Sequence, residues 1–454
     1  MKHIPEGPGL ASRIDLGDRP SEAGEHAVIP RSRFRRVLTN TCWAILLVLG
    51  VFFLVRQIID VSQGPSDFCN DYLAAQRVRI GLQPYVPLNC FSGGVHAPPS
   101  NMEYDTHPPF SILFLLGWSL LPLQPATMLW GVWCLIGYGA SGFFLLRQLG
   151  WGTLRNVAFF TLGSILWLPF LYSEQLLNLG QTLTLFVVGA WILERRRQDT
   201  LSGVLIGLAG LLKLWPAGLL LYSLLFRRWR QALSGGITFV LGILLTLLVP
   251  GIQAYINYLG PVQHNEQSAV PSDVNMSVVA VVARPFTGIP GALPPLIPGV
   301  ELSAGVLLGE ILAGVVLSGG LGLIWWCTRH TSSETTAWLS YGLLVTLLLL
   351  IFPVNPFWGQ VSLILPLATT IAALRHLPRP PRTWYVLFAL GLAEPLGAGW
   401  FIPGLMWKLV LNGTLTRAGW ETLVFDMPGL MFLLIAGAQA WLLWWASQNR
   451  SQPL

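Results

Sequence analysis

Apolar stretches of about 20 residues recur along this chain, and that is the length of helix needed to cross the hydrocarbon core of a bilayer. The first is Val37–Ile59. Further apolar segments cover roughly 108–122, 125–146, 156–172, 179–193, 200–212, 214–226, 231–250, 302–326, 335–352, 358–374, 383–402 and 427–446. Of the 454 residues, 11% are charged and 53% hydrophobic. A soluble domain carries about a quarter charged residues, so most of this surface faces something other than water. A membrane β-barrel would show short alternating segments instead. The sequence predicts an all-α, polytopic membrane protein with about 11–13 transmembrane segments. Several segments are short or interrupted by Pro or Gly, which is tolerated at membrane depth only where protein or a watery cavity satisfies the backbone.

The net charge of +6 does not point to nucleic acid. The basic residues gather at the ends of apolar runs, as at Arg31 to Arg36, Glu194 to Arg197, Arg227 to Arg230 and Arg375 to Arg382. The positive-inside rule puts such clusters on the cytoplasmic side. Residues 1–36 read as a polar cytoplasmic tail, 37–447 as the transmembrane domain and 448–454 as a second tail. Within the domain, 60–107 is expected to be an extracytoplasmic loop and 251–299 a second polar loop. Residues 1–30 are polar, so a retained signal-anchor is expected and not a cleaved signal. Arg147 to Arg155 conflicts with this topology. Two apolar segments separate it from the outer loop, so either His107 to Leu121 does not span or Arg147 breaks the charge rule.

Cys42, Cys134 and Cys327 fall in apolar runs and read as small core residues. Cys69 and Cys90 share the first loop and are able to pair if it faces an oxidising compartment. No Cys/His spacing resembles a zinc site. No nucleotide-type glycine loop and no Asp-x-Asp motif is present, which speaks against a metal-held nucleotide donor.

The first polar loop, Gly64 to Pro109, carries the chemistry. Asp67 and Asp71 sit just beyond the first span at i, i+4 spacing, which places both on one face of a helix. Asn70 to Ile80 is expected to form a short interfacial helix. Lys213 lies between two apolar runs, where a cation is a functional candidate or a snorkelling lysine. Glu310 and Glu394 lie inside apolar runs and are expected to face protein or cavity. Glu174, His264 and Glu266 receive no role.

The run Asp67-Phe68-Cys69-Asn70-Asp71-Tyr72-Leu73-Ala74-Ala75, followed by Gly81-Leu82-Gln83-Pro84-Tyr85, resembles the opening of glycosyltransferase family 87. Three more pieces follow in order. They are Tyr104 to Pro109 leading into Phe110 to Pro122, then Leu179-Gly180-Gln181 with Gly203, Gly207 and Lys213-Leu214-Trp215-Pro216, then Asn275-Met276-Ser277. The resemblance runs from about Val37 to Ala373. One departure is that the family's Ser-Pro-x-Ser-Trp-x-His-His corresponds here to Val354-Asn355-Pro356-Phe357-Trp358-Gly359-Gln360-Val361, with the Trp but no histidine.

The resemblance implies a GT-C-type enzyme moving a sugar, mannose above all, from a polyprenyl phosphate to a lipid or glycan acceptor outside the cytoplasm, in the plasma (inner) membrane. It puts the general base of an inverting transfer on Asp67. A carboxylate suits that role, because the acceptor hydroxyl must lose its proton opposite the departing phosphate. Donor or acceptor binding falls to Asp71, Tyr72, His107, Gln181, Lys213, Asn275, Ser277 and Gln360, with Lys213 meeting the phosphate charge. No cofactor is expected, and a divalent metal is left open. Two other classes stand beside the enzyme: a transporter or flippase of lipid-linked sugars, and an inactive scaffold, which the missing histidines allow.

Overall fold

The computed structural model describes residues 31–61, 67–86, 88, 107–272, 274–289, 295–297, 299, 301–331, 333–393, 396 and 426–449. Residues Met1–Cys42 form one unit, of which only the start of the first helix is described. Trp43–Leu454 form a second.

The described residues form seventeen α-helices and no strand. In chain order they are α1 (Arg31–Val61), α2 (Asp67–Arg79), α3 (Pro109–Leu115), α4 (Leu123–Gln148), α5 (Leu154–Leu166), α6 (Leu168–Leu176), α7 (Gly180–Arg195), α8 (Asp199–Leu212), α9 (Leu219–Leu225), α10 (Trp229–Leu248), α11 (Ile252–Ala269), α12 (Val278–Thr287), α13 (Leu302–His330), α14 (Glu334–Ile351), α15 (Ile364–Ala373), α16 (Arg382–Ala393) and α17 (Met427–Gln448). The protein is thus all-α and polytopic. Proline opens α3, α6 and α17, where a missing N–H costs nothing. The side chains of Thr153, Ser277 and Ser333 cap α5, α12 and α14 by accepting from Asn156, Ala280 and Thr336 backbone N–H groups.

Six described helices are long and apolar enough to cross a membrane: Val37–Asp60, α4, α10, Leu302–Arg329, α14 and α17. The pair α5–α6, bent by 71°, makes a seventh if taken as one broken span. Four shorter apolar pieces follow, among them α8 and α12. The apolar runs counted in the sequence are therefore cut into long, broken and short helices by the same Pro and Gly residues that interrupt them. The segment 108–122 is one such case. It holds only the seven residues of α3 and a short 3-10 turn at Trp118–Leu120. Seven helical residues rise about 10 Å, a third of the hydrocarbon core, so α3 does not span. The polar stretch 251–299 also differs from a plain loop, since it carries α11 and α12.

The main core gathers α7, α14, α15 and α17 around residues such as Trp191, Tyr341 and Phe432. A second, smaller core joins α2, α3 and α4 to the corner between α6 and α7. Helices α8 and α10 run in close contact. A methyl group on Gly203 would sit 2.2 Å from the Gln231 carbonyl oxygen, so only glycine lets these backbones approach. Small residues at such crossings drive helix association in a bilayer. Two expectations for single residues fail. Glu310 is exposed on α13 and not packed against protein, because the stripe that α13 turns onto α12 is the one carrying Gly305 and Gly309. Cys42 is exposed, whereas Cys134 and Cys327 are buried as expected.

Candidate functional site

Asp67 begins α2 and Asp71 follows one turn later, so the expected helix and its acidic face both form. The buried side of α2 is Phe68, Tyr72, Ala74 and Ala75. The small Ala pair lets the helix lie close on α3 and α4. Phe68 stacks on Trp130 of α4, with ring centroids 5.4 Å apart. Trp130 in turn donates its indole N–H to the Leu177 carbonyl oxygen at 2.8 Å. Tyr72 donates to the Leu121 carbonyl oxygen at 2.7 Å, and Arg79 to that of Ser119 at 2.6 Å. These contacts hold α2 rigidly against the 107–121 segment.

Asp71 is buried at 2% exposure, and its Oδ1 lies 2.7 Å from Nδ1 of His107. His107 is fixed through its main chain as well, because Tyr85 donates its hydroxyl to the His107 carbonyl oxygen at 2.8 Å. Asp67 is only half-buried. Lys213 sits in the break between α8 and the 3-10 turn Trp215–Gly218, outside the spanning helices. Burial lowers its ammonium below the usual lysine range, while Asp67 and then Asp71 pull it back up. The sequence therefore names a cluster, Asp67, Asp71, His107 and Lys213, that folding brings together from three segments far apart in the chain.

A groove of about 370 Å³ opens beside this cluster. Pro108, Pro109 and Phe110, just after His107, form one wall. Gly210, Leu211 and Leu214, flanking Lys213, form another, with Phe239 and Ile243 of α10 and Tyr255, Ile256, Tyr258 and Leu259 of α11 completing it. Its lining is almost wholly apolar. A charged cluster next to the residues that line an apolar groove suits an amphiphile with an anionic head.

The remaining candidates lie elsewhere. Tyr72 buttresses α2 as described. Gln181 is fully buried on α7, where its amide donates to Glu174 Oε2 at 3.1 Å and its oxygen accepts from Ser173 at 3.0 Å. Ser173 also donates to Asn178 at 2.9 Å. Glu174 thus belongs to a buried polar cluster at the α6–α7 corner. Sequence alone assigned it no role, because it falls in the short connection between two apolar segments. Asn275 and Ser277 brace the chain. Asn275 accepts from the backbone N–H groups of Ser277 and Asn355 at 3.1 and 3.0 Å. Both side chains donate to the Pro353 carbonyl oxygen at 2.8 Å. This joins the Asn-x-Ser motif to the Val354–Val361 run. Gln360 in that run is fully buried, and neither of its side-chain polar atoms finds a partner among the described residues.

Cys69 is disulfide-bonded. Cys90, its expected partner, lies outside the described residues, as do Tyr104 and Glu394 and the side chains of His264 and Glu266. No group of three or more His, Cys, Asp or Glu among the described residues is placed to hold a metal ion.

A multi-pass helical protein with a carboxylate, histidine and lysine cluster beside an apolar groove has the layout of an enzyme acting at a membrane surface. The model of glycosyltransferase family 87 matches residues 106–353. That is more than half of the chain, which therefore belongs to this family. The matched region carries His107, Gln181, Lys213, Asn275 and Ser277, whereas Asp67, Asp71 and Gln360 lie outside it. Among curated proteins the chain is similar to a polyprenol-phosphate-mannose-dependent alpha-(1-2)-phosphatidylinositol pentamannoside mannosyltransferase of Mycolicibacterium smegmatis. Identity is 25% over 239 residues, 52% of this chain and 53% of the relative. The chain thus spans about half the length of the curated relative it matches. No solved structure matches it.

Proposed function

We propose that this protein is a membrane glycosyltransferase that takes mannose from a polyprenyl phosphate and transfers it with inversion to a lipid or glycan acceptor on the extracytoplasmic side. The observation that carries this reading is the position of Lys213, within electrostatic reach of Asp67 and Asp71 and flanked by residues that line an apolar groove. The groove receives the isoprenoid, and Lys213 meets the phosphate. The printed activity of the mycolicibacterial relative supports the choice of donor.

The acceptor hydroxyl gives its proton to Asp67 as its oxygen bonds to the anomeric carbon. The bond from that carbon to the phosphate oxygen breaks, and polyprenyl phosphate leaves with the electron pair. Lys213 balances the charge that grows on it. Asp67 suits the base role better than Asp71, because it is half-buried and Asp71 is closed off against His107. Burial of the latter pair makes it an orienting device.

The side of the membrane rests on two points. The arginines at the start of α1, Arg31 to Arg36, favour an inside amino terminus. The disulfide at Cys69 favours an oxidising compartment for α2. Because α3 does not span, α4 would then return the chain to the inside, and Arg147 would obey the charge rule.

The test is transfer by Asp67→Asn. A general base contributes about 10²- to 10⁴-fold, so turnover is expected to fall by at least the lower figure with donor binding retained. Full activity of this variant would remove Asp67 from the mechanism. Movement of lipid-linked sugar across vesicles without transfer would favour a flippase.

A further inference from the structure

Tyr85 stands between the apolar groove and the Asp71–His107 pair. Its hydroxyl holds the His107 carbonyl oxygen at 2.8 Å. Its ring packs on that of Tyr258, with centroids 5.3 Å apart, and Tyr258 lines the groove. One residue earlier on α11, Asn257 donates to Gln83 Oε1 at 3.1 Å, so α11 grips the 83–85 segment at two points. Tyr85 is 5% exposed and has no solvent to swing into. His107 precedes Pro108, which confines its backbone to extended conformations. A displacement of Tyr85 therefore passes to the His107 main chain and is not absorbed by slack.

We propose that Tyr85 and Tyr258 are positioning residues through which a filled groove sets the His107–Asp71 pair, so that the apolar tail of the donor raises turnover and not affinity alone. This rests on the reading that the groove takes the isoprenoid. Binding energy from a part of the substrate that does not react increases kcat when it orders the reacting centre. Misplacement of a catalytic group by about 1 Å costs up to ~10²-fold. The Tyr258 ring meets Tyr85 on one side and lines the groove on another. A tail fills that side and fixes the ring, and the order passes through Tyr85 to His107.

The experiment uses the full-length protein in detergent and two donors, mannosyl phosphate on a single isoprene unit and mannosyl phosphate on a long polyprenyl tail. For the unmodified protein, kcat with the long donor is expected to exceed kcat with the short one by about 10-fold or more. Tyr85→Phe keeps the ring and loses the bond to His107. Tyr258→Leu keeps an apolar wall and loses the ring contact. In each, the long-to-short kcat ratio falls toward unity, with KM for the long donor changing less than kcat. The double variant falls no further than either single one, because both act on one chain of contacts. If Tyr258→Leu does not fold, Tyr85→Phe, which removes only a hydroxyl, carries the same test. A ratio in Tyr85→Phe equal to that of the unmodified protein overturns the proposal. So does an unmodified protein whose whole response to tail length is in KM. Absence of transfer from either donor by the unmodified protein overturns the reading of the donor instead.

Discussion

Nδ1 of His107 and Oδ1 of Asp71 lie 2.7 Å apart, joining residues 36 positions distant in the chain. The carboxylate accepts, so Nδ1 carries the hydrogen, and the pairing fixes both the ring's tautomer and its orientation. The same contact ties the helix bearing both aspartates to the segment that walls the groove. Its loss therefore affects the fold and the site together.

His107→Ala is expected to lower stability by about 1–3 kcal/mol, because it removes a partner from a buried carboxylate. Adding Asp71→Ala to it should cost less than the sum of the two single changes, since the carboxylate left behind is then gone. Thermal melting of the four proteins checks this. In transfer assays, Asp71→Asn should cost less turnover than Asp67→Asn. The reverse ranking would exchange the roles assigned to the two.

Lys213→Met is expected to weaken donor binding more than acceptor binding, measured as separate KM values. The pH dependence has a definite sign. The ammonium is charged below its own value, and burial holds that value below the usual range. Donor affinity should therefore fall as pH rises, and begin to fall at lower pH than an ordinary lysine at about 10.4 would give. The Met variant should lack that alkaline limb. An alkaline limb of equal size in the variant would separate Lys213 from the donor.

Arg284 and Asp426 form an ion pair at 2.8 Å in which both side chains are almost fully buried. Arg284 also donates to the Asn275 carbonyl oxygen, so the pair ties α12 and the start of α17 to the Asn-x-Ser segment. Asp426→Ala leaves a buried guanidinium without its carboxylate and should destabilise by about 3–5 kcal/mol. Replacing both residues by apolar ones, Arg284→Met with Asp426→Leu, should recover most of that loss in a thermal melt.

Much of this molecule was legible in its sequence because lipid imposes simple rules. Length and hydropathy alone identify Val37–Asp60, α4, α10, α14 and α17 as helices, since a backbone in hydrocarbon has almost no other choice. Asp67, Asp71, His107 and Lys213 were readable as charged groups in places where charge is costly. Their convergence was not, because it depends on α8 bringing Lys213 to a helix more than 130 positions earlier. Glu174 was passed over, since a buried carboxylate bound to Gln181 and a solvated one in a turn look alike in one dimension. Asn275 and Ser277 were read as ligand contacts, but their side chains engage the backbone at Pro353 and Asn355. Polar residues that bind a sugar and polar residues that close a chain break are of the same types.

The absence of a side chain at Gly203 has a reach beyond the place where α8 and α10 touch. Further along the same two helices, Leu211 packs where Gly242 has no side chain, and together with Phe239 and Ile243 it lines the groove. How that shared wall lies is governed by how nearly the two axes meet two turns away. A methyl group at Gly203 would act as a wedge driven in near one end of a pair of tongs. It would alter the groove without changing a single residue that lines it. The shape of the groove is thus an inherited property of a crossing, open to tuning by substitutions that leave its lining intact.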